Sequence, residues 1–521
     1  MAVHSALRDL GELVRYQAAV RPERVATTFE GRETTYGQLD RRSSRVANGL
    51  RAINSAPHMR VASIAKNTDV FYEVLFGAAK ARDATVAVNW RLAPAEIAYI
   101  VNDAMAEVLL VGEEFFSSIA QIRSELRTVR KIIALGGSHP EWESYTDWRD
   151  RQASNDPQLA ISGDDVALQL YTSGTTGNPK GAQITHNNLV AALQAAGEWY
   201  PCSAEDVSLA CMPQSHMGGS LLGLIALYVG AQNVITREPS PAEILQLIPS
   251  ERITLAFLVP AVVLFLLQTP GCQAVDSSSL KRIVYGGSPI PLDLLRDALA
   301  TFKCEFGHLY GLTETTGVVT FLPPQDHDVA GSPRMRSCGK PLSNAEIKVV
   351  DSDGIEVPTG HVGEVVVRSR QVMKGYWNLP EATATTIRDG WLHTGDAGYT
   401  DADGYLYIHD RVKDMIISGG ENIYPAEVES ALYGHPAVAD VAVIGVPDDR
   451  WGEAVKAIVV IEPGAGATAQ DLIAYCRERI AHYKAPKSID FAESLPRNAS
   501  GKLLKRVLRA PYWDGRERQV N

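Results

Sequence analysis

The chain contains the run Tyr171-Thr172-Ser173-Gly174-Thr175-Thr176-Gly177-Asn178-Pro179-Lys180-Gly181, directly after the apolar segment 166–170, which predicts a strand. The run holds four Ser or Thr hydroxyls, three glycines and one lysine. Glycine lets backbone N–H groups approach a ligand closely, hydroxyls donate hydrogen bonds, and lysine adds a point positive charge. This combination indicates a site for the phosphates of a nucleotide triphosphate.

The order of residues separates this run from a Walker A loop, in which lysine directly follows the second glycine and a hydroxyl follows the lysine. Here Asn178 and Pro179 precede Lys180, and Gly181 follows it. A P-loop fold is therefore not supported. Composition alone would also fit an ordinary surface loop rich in Ser, Thr and Gly, so the choice depends on the rest of the chain.

Further motifs follow the first run in a fixed order. They are Met-Pro-Gln-Ser-His-Met-Gly-Gly at 212–219, Tyr-Gly-Gly-Ser-Pro at 285–289, Tyr-Gly-Leu-Thr-Glu-Thr-Thr-Gly at 310–317, Gly-Tyr-Trp at 375–377, Trp-Leu-His-Thr-Gly-Asp at 391–396, Asp-Arg-Val-Lys-Asp at 410–414, Ser-Gly-Gly-Glu-Asn-Ile-Tyr-Pro at 418–425 and Pro-Arg-Asn-Ala-Ser-Gly-Lys at 496–502. The series resembles the adenylate-forming superfamily of acyl-CoA synthetases, luciferases and peptide-synthetase adenylation domains. It covers nearly the whole chain, and the segment 418–425 looks most like that of bacterial fatty-acyl, aryl or steroid-side-chain CoA ligases.

Hydrophobic patterns predict two domains. Before residue 411, strand-like runs at 61–64, 108–111 and 131–135 alternate with helical patterns such as 69–80, as in doubly wound α/β layers. After it, we predict a helix at 427–433, strands at 438–446 and 455–461, and a helix at 469–481. The expected fold is α/β: a large N-terminal domain of layered α/β subdomains (1–410) and a small, mobile α+β C-terminal lid (411–521).

Composition restricts the partners. The net charge of −11 without a long basic run argues against nucleic acid, whose phosphates require clustered Lys and Arg. Six cysteines form no Cys-x-x-Cys or Cys/His metal pattern, which favours reduced thiols in a cytoplasm. The N-terminus lacks a signal-peptide pattern, and no apolar run is long enough to span a membrane. Peripheral membrane contact and the oligomeric state stay open.

The resemblance implies a two-step reaction with ATP and Mg²⁺. A carboxylic acid attacks the α-phosphate of ATP to give an acyl-AMP and pyrophosphate, and a thiol then takes the acyl group. The first step is a displacement at phosphorus, in which protein groups mainly position the reactants and neutralise charge.

The resemblance also assigns the nucleotide site. The β- and γ-phosphates would be held by Thr172, Ser173, Gly174, Thr175, Thr176 and Lys180. The loop Gly287, Ser288 and Pro289 would border the adenine, with Tyr310 and Gly311 beside it and the Tyr310 ring against the base. Thr313 would bond the α-phosphate and Glu314 would ligate magnesium, a hard cation that prefers oxygen ligands.

Three further residues are assigned to the adenylate by the same resemblance. Asp396 would accept hydrogen bonds from both ribose hydroxyls, and Arg411 would support the same ribose. Lys502 would bridge the attacking carboxylate and the α-phosphate as charge builds in the transition state.

Coenzyme A is the thiol substrate that the resemblance implies. The C-terminal domain would swing about Lys413, withdrawing Lys502 and bringing the loop with Ser418, Gly419 and Gly420 to the acyl-adenylate. These two glycines would leave a channel for pantetheine.

The acid is the least defined reactant. His216 lies where the family often places an aromatic residue at the mouth of the acyl pocket, and we count it among the catalytic residues. Gly218, Gly219, Gly223, Gly311 and Gly317 would leave space there, which favours a medium- or long-chain fatty, aryl or steroid-type acid. The main alternative is a stand-alone adenylation enzyme that loads an acyl carrier protein. A catalytically silent nucleotide- or acyl-binding protein is a weaker one, since binding alone would not need Lys502.

Overall fold

A computed structural model describes residues 7–172, 178–411, 414–419, 421–497 and 503–514, and only the backbone of Asp410, Arg411 and Asn422. The helices are α1 Leu10–Val20, α2 Tyr36–Ile53, α3 Val70–Ala81, α4 Pro94–Asp103, α5 Phe116–Ile122, α6 Tyr145–Asp150, α7 His186–Ala195, α8 Met217–Val229, α9 Pro241–Ser250, α10 Pro260–Gln268, α11 Leu292–Phe302, α12 Pro380–Thr386, α13 Pro425–Tyr433, α14 Ala469–Arg477 and α15 Lys505–Arg509.

The strands begin and end as follows: β1 Val25–Phe29, β2 Arg32–Thr35, β3 Arg60–Ile64, β4 Ala84–Val88, β5 Ala106–Gly112, β6 Lys131–Leu135, β7 Glu143–Ser144, β8 Val166–Thr172, β9 Lys180–Thr185, β10 Val207–Ala210, β11 Gln232–Ile235, β12 Leu255–Leu258, β13 Arg282–Gly286, β14 Glu305–Leu312, β15 Gly317–Leu322, β16 Lys340–Pro341, β17 Ala345–Val350, β18 Gly363–Ser369, β19 Gly375–Tyr376, β20 Ile387–Arg388, β21 Trp391–Thr400, β22 Leu406–Arg411, β23 Ile416–Ser418, β24 Glu421–Ile423, β25 Val438–Asp448, β26 Gly452–Ile461 and β27 Ser488–Phe491.

The described residues form two compact units, one of residues 1–346 and 367–392, the other of residues 347–366 and 393–521. The first unit contains a nine-stranded sheet in the order β16-β15-β14-β13-β12-β10-β11-β1-β2 and an eight-stranded sheet in the order β19-β9-β8-β4-β3-β5-β6-β7. The inner strands of both sheets are parallel, with antiparallel hairpins at β14–β15 and β8–β9. The predicted layered α/β architecture is confirmed.

Apolar side chains cover both faces of the eight-stranded sheet. One cluster joins α4 and α5 to this sheet, and a second joins α2, α3 and α6 to its other face. A larger cluster packs α1, α3, α7, α8 and α10 against the nine-stranded sheet. Because the strands are covered on both sides, they read as continuous apolar runs in the sequence.

The second unit contains a smaller sheet in the order β24-β23-β26-β25, with β27 paired to β26. Helices α13 and α14 pack on one face, and residues of the α15 region pack on the other. A further five-stranded sheet has the order β17-β18-β21-β20, with β22 paired to β21. The boundary predicted between residues 410 and 411, and the mobility of the C-terminal domain, stay predictions.

The predicted elements agree with the structure except in one helix. The pattern at 469–481 predicted a longer helix than α14, which ends at Arg477. The regular helical bonding stops there: the Arg479 N–H bonds the Cys476 carbonyl three residues back, and the Tyr475 carbonyl accepts instead from the Arg479 guanidinium at 3.1 Å. The six cysteines, all in the described ranges, form no disulfide with one another. In the described ranges no helix is both long and apolar enough to cross a membrane.

Candidate active site

The predicted phosphate-binding run joins two paired strands. Thr172 is the last residue of β8 and Lys180 the first of β9, and the two lie opposite each other in the antiparallel ladder. The loop therefore starts and ends at one point on the edge of the sheet. Ser173, Gly174, Thr175 and Thr176, predicted to hold phosphates, lie outside the described residues.

The predicted catalytic pair, Thr313 and Glu314, lies in the tight turn that connects β14 to β15. Thr315 stabilises this turn, since its hydroxyl accepts from the Leu312 N–H at 2.8 Å and lies 2.6 Å from the Gly317 carbonyl. Gly317 has φ of +95°, a backbone conformation that glycine adopts without strain. The turn therefore presents Thr313 and Glu314 at the end of β14.

Gln371 fixes the same turn from a distant segment. Its side-chain amide is buried and donates to the Val318 carbonyl at 2.8 Å and to the Thr315 carbonyl at 3.3 Å. In return, the Thr316 hydroxyl donates to the Gln371 carbonyl at 2.6 Å. Buried polar groups that are all bonded hold a single arrangement, so these contacts join the turn firmly to the segment around Gln371.

Tyr376 connects two predicted site residues. Its hydroxyl donates to Oε1 of Glu314 at 2.8 Å, and its ring centroid lies 5.1 Å from the Lys180 ammonium nitrogen. A cation at this distance from an aromatic ring is attracted by the electron-rich face. One tyrosine thus places the end of the phosphate loop and the predicted magnesium ligand close together.

The donor set at Glu314 fits a magnesium ion. Within the described residues, Oε2 of Glu314 receives no hydrogen bond, while Oε1 is held by Tyr376. No group of three or more His, Cys, Asp or Glu side chains among those residues could hold a metal. Magnesium usually takes one or two carboxylates and completes its shell with water and substrate phosphates, so a single orientated carboxylate suits a nucleotide-bound ion.

The predicted adenine loop leaves the carboxyl end of β13. Gly286 lies opposite Leu309 of the parallel neighbour β14, which places the following Gly287 beside Tyr310. Gly287, Ser288 and Pro289 are exposed, and Tyr310 and Gly311 are partly buried. Ligands of α/β sheets bind at the carboxyl ends of the strands, so the positions suit the predicted adenine contact.

His216 immediately precedes α8, on a loop held by the segment after β3. The Asn67 amide donates to the carbonyls of Cys211 and Met212, and its oxygen accepts from the Gln214 N–H at 2.9 Å. Burial lowers the pKa of His216 to about 4, and the neighbouring Arg91 guanidinium lowers it in the same direction. The imidazole is therefore neutral at physiological pH.

The predicted role of the glycines is wrong. A Cβ at Gly223 would collide with the Tyr72 hydroxyl, and one at Gly218 would lie 2.9 Å from the Phe257 ring. Gly219 and Gly311 face the backbone of Pro213 and Gly317, and a Cβ at Gly317 would lie 2.6 Å from Leu221. Neighbouring atoms already fill these spaces, so the glycines permit close packing and do not enlarge an acyl pocket.

The second unit carries the predicted ribose ligand. Asp396 is buried on β21, and its backbone N–H bonds the Thr394 hydroxyl at 3.0 Å. The antiparallel ladder pairs Asp396 with Arg411 on β22. The two residues predicted to hold the ribose are therefore direct cross-strand neighbours in the backbone.

The second unit also contains the loop predicted to face pantetheine. Ser418 ends β23, and Gly419 follows with φ of +62° and donates its N–H to the Trp451 carbonyl at 2.8 Å. The Trp451 ring covers Gly419, since a Cβ there would lie 2.8 Å from the indole. Trp451 is 41 % exposed, and the Arg450 guanidinium lies 4.5 Å from its ring centroid. Gly420, Lys413 and Lys502 lie outside the described residues.

Two contributors escaped prediction. Tyr376 lies in the quoted Gly-Tyr-Trp motif, which gave the tyrosine no role, and Gln371 lies in no motif. Their partners are far away in the chain, and hydrogen bonds between remote side chains leave no periodic signal.

The first unit thus carries both ends of the predicted phosphate loop and the Thr-Glu turn, and the second unit carries the buried Asp396. The sequence model of the AMP-binding enzyme family matches residues 14–377, and that of the AMP-binding enzyme C-terminal domain matches residues 427–502. The chain belongs to the AMP-binding enzyme family.

Known relatives align over almost their full length. The chain is 40 % identical to the fatty acid–[acyl-carrier-protein] ligase ScoC of Streptomyces coeruleorubidus, covering 99 % of both chains. It is 38 % identical to a feruloyl-CoA synthase of Amycolatopsis sp, over 97 % of this chain and 99 % of the relative. The structure of the anthranilate CoA ligase AuaEII with anthranoyl-AMP matches at a TM-score of 0.89 and 29 % identity, covering 97 % of each chain. The prediction of an ATP-dependent, acyl-adenylate-forming ligase is confirmed.

Proposed function

We propose that this enzyme is an AMP-forming acid–CoA ligase. In the first step, a carboxylate oxygen of the acid attacks the α-phosphorus of ATP, the bond to the β-phosphate oxygen breaks, and pyrophosphate leaves. In the second step, the sulfur of CoA attacks the acyl carbon, AMP leaves, and the thiol proton passes to solvent.

For the first step, Thr172 and Lys180 contact the outgoing phosphates, Thr313 bonds the α-phosphate, and Lys502 neutralises charge at the attacking oxygen. Magnesium bound at Glu314 would neutralise phosphate charge. The Tyr376 bridge supports this assignment because it keeps Lys180 and Glu314 close together. Asp396 and Arg411 hold the ribose, and Gly287, Ser288, Pro289 and Tyr310 border the adenine.

The observation that carries CoA as acceptor is the exposed Trp451 with Arg450 beside its ring, directly over Gly419. An aromatic face next to a guanidinium suits a thiol that carries a nucleotide, because bases stack on aromatic rings and phosphates pair with arginine. In our proposal, Ser418, Gly419 and Gly420 border the pantetheine arm, and Lys413 is the pivot that exchanges this loop for Lys502.

We infer a medium- or long-chain fatty or an aryl acid as substrate, with a steroid-type acid as a further member of the test panel. The fatty acid ligase and the feruloyl-CoA synthase among the relatives support these two classes. We also propose a cytoplasmic enzyme, which the six cysteines, none of them in a disulfide, support.

The second candidate acceptor is an acyl carrier protein, which the 40 % identity to ScoC favours. Each acid of the panel is incubated with ATP, Mg²⁺ and either CoA or a phosphopantetheinylated carrier protein, and the products are identified by mass spectrometry. A CoA thioester supports our proposal. If the acyl group of acyl-AMP passes only to the carrier protein, the protein is a carrier-protein ligase and our proposal is wrong. If no acid of the panel releases pyrophosphate, the protein is a catalytically silent binding protein.

Variants separate the two steps. Trp451→Ala should raise the KM for CoA about tenfold, as expected for one lost aromatic stack, and leave ATP–pyrophosphate exchange unchanged. Tyr483→Ala removes another exposed ring of the same unit, which has Lys484 5.9 Å from its centroid, and serves as the control. Lys502→Ala should suppress exchange but spare thioester formation from supplied acyl-AMP, whereas Gly420→Leu should do the reverse.

A further inference from the structure

Asn89, the first residue after β4, has an amide whose orientation is fixed by its neighbours. Its Oδ1 accepts a hydrogen bond from the Arg91 backbone N–H at 3.0 Å. An amide oxygen cannot donate, so the other end of the side chain is the NH₂ group. That nitrogen, Nδ2, lies 3.3 Å from Nε2 of His216.

This contact determines where the imidazole of His216 carries its proton. Nδ2 of Asn89 is a donor, so Nε2 of His216 must be the acceptor. In a neutral imidazole one nitrogen accepts and the other carries hydrogen, which places the proton on Nδ1. Burial and the Arg91 guanidinium both lower the pKa of His216, to about 4, so the doubly protonated ring does not form near pH 7.

The rest of His216 is also held in place. Its backbone N–H donates to the Pro213 carbonyl, and its carbonyl accepts from the Ser220 N–H, both at 3.0 Å. Within the described residues, Nδ1 of His216 has no hydrogen-bond partner. The ring is therefore anchored through Nε2 and retains one N–H group for a ligand.

We propose that Asn89 is a positioning residue: it holds His216 in the Nδ1-protonated tautomer, so that this N–H donates to an oxygen of the bound acid or its adenylate. The inference rests on the proposed function for the identity of that oxygen. It assigns Asn89 a part in acid recognition although, within the described part of the chain, the Asn89 side chain hydrogen-bonds only to Arg91 and His216.

The substitution Asn89→Asp tests this directly. One oxygen of the new carboxylate still accepts from the Arg91 N–H. The other oxygen takes the place of the NH₂ group that donates to Nε2 of His216, and it can only accept. Nε2 must then carry a proton, and the ring changes tautomer or becomes an imidazolium. Asn102→Asp is the matched control, since Asn102 uses both ends of its amide on the backbone of Glu125 and Arg127.

The measurement combines NMR with kinetics on the full chain. Long-range ¹H–¹⁵N spectra of ¹⁵N-histidine-labelled protein report which ring nitrogen is protonated, and His216→Gln identifies the signals. We expect a protonated Nδ1 and an unprotonated Nε2 in the wild type and in Asn102→Asp, and a protonated Nε2 in Asn89→Asp. The kcat/KM for the acid in ATP–pyrophosphate exchange should fall roughly ten- to a hundredfold in Asn89→Asp, as expected for loss of one hydrogen bond to a charged oxygen.

Each result decides the proposal. A protonated Nε2 in the wild type would overturn it whether or not the variant folds, and so would a changed tautomer without loss of kcat/KM. Exchange does not involve CoA, so a failure to form CoA thioester would refute the proposed acceptor and leave this inference standing.

Discussion

Removing the hydroxyl of Tyr376 isolates its contact with Glu314. Tyr376→Phe keeps the ring, and with it the attraction for Lys180, whose ammonium nitrogen lies 5.1 Å from the centroid. It removes the hydroxyl, which donates the 2.8 Å bond to Oε1 of Glu314. One oxygen of the carboxylate then loses its fixed donor, and the carboxylate can rotate away from the position in which it meets the metal.

The size of the effect follows from the type of bond. A hydrogen bond to an ionised group contributes about 1.5–3 kcal/mol, and partly buried Glu314 can recover some of it from water. The lower end, about 1.5 kcal/mol, corresponds to a roughly tenfold change in metal affinity. Loss of a residue that orientates a metal ligand usually costs about 10–100-fold in metal affinity, which agrees with this value.

The assay is ATP–pyrophosphate exchange as a function of free Mg²⁺ at fixed ATP. We expect the Mg²⁺ concentration for half-maximal exchange to rise roughly tenfold in Tyr376→Phe. Tyr407→Phe is the control, because it removes a tyrosine–carboxylate bond to Asp401 in the other unit. An unchanged Mg²⁺ dependence in folded Tyr376→Phe would refute the link between this hydroxyl and metal binding.

Three further predictions concern stability, pH and ATP binding. Gly317→Ala should lower the unfolding free energy by about 1–3 kcal/mol in denaturant titrations, whereas Gly354→Ala, at φ of +80° with open space around it, should cost less; equal losses would disprove the clash with Leu221. Burial lowers the pKa of His186 to about 4, below its unfolded value of 6.5, so its contribution to stability is complete above pH 6.5 and is lost as the pH falls towards 4. Between pH 7 and 4.5, the unfolding free energy measured in urea should therefore fall by about 2–3 kcal/mol less in His186→Gln than in the wild type. Equal falls would show that His186 does not cause this pH dependence. Asp396→Ala should raise the KM for ATP about tenfold in exchange assays, and an unchanged KM would separate Asp396 from the ribose.

Local features of the fold could be predicted because their causes are local. The apolar runs at β3, β5 and β6 are continuous because helices cover both faces of the sheet. The predicted range of helix α14 is too long because its polar–apolar pattern continues past Arg477. The hydrogen bonds at the end of the helix involve the backbone, and side-chain periodicity does not reveal them.

The site was predicted as a set of separate motifs, and its internal contacts were not. The Tyr376–Glu314 bond joins residues 62 positions apart, and the Asn89–His216 contact joins residues 127 apart. The glycines were misinterpreted for the same reason, because the residues that pack against them are distant in the sequence. Gly223 seemed to leave room, but the atom that fills the space belongs to Tyr72 on another helix.

The bonds of Gln371 have a consequence for exchanging parts between relatives. The turn with Thr313 and Glu314 and the segment from Gln371 to Tyr376 are separate in sequence, yet hydrogen bonds join them at both ends, buried at Gln371 and partly buried at Tyr376. A chimera with a crossover between residues 322 and 370 would take these two pieces from different parents. Libraries that transplant an acid pocket should therefore move residues 310–318 and 369–377 as one cassette, and natural recombination in this family would face the same restriction.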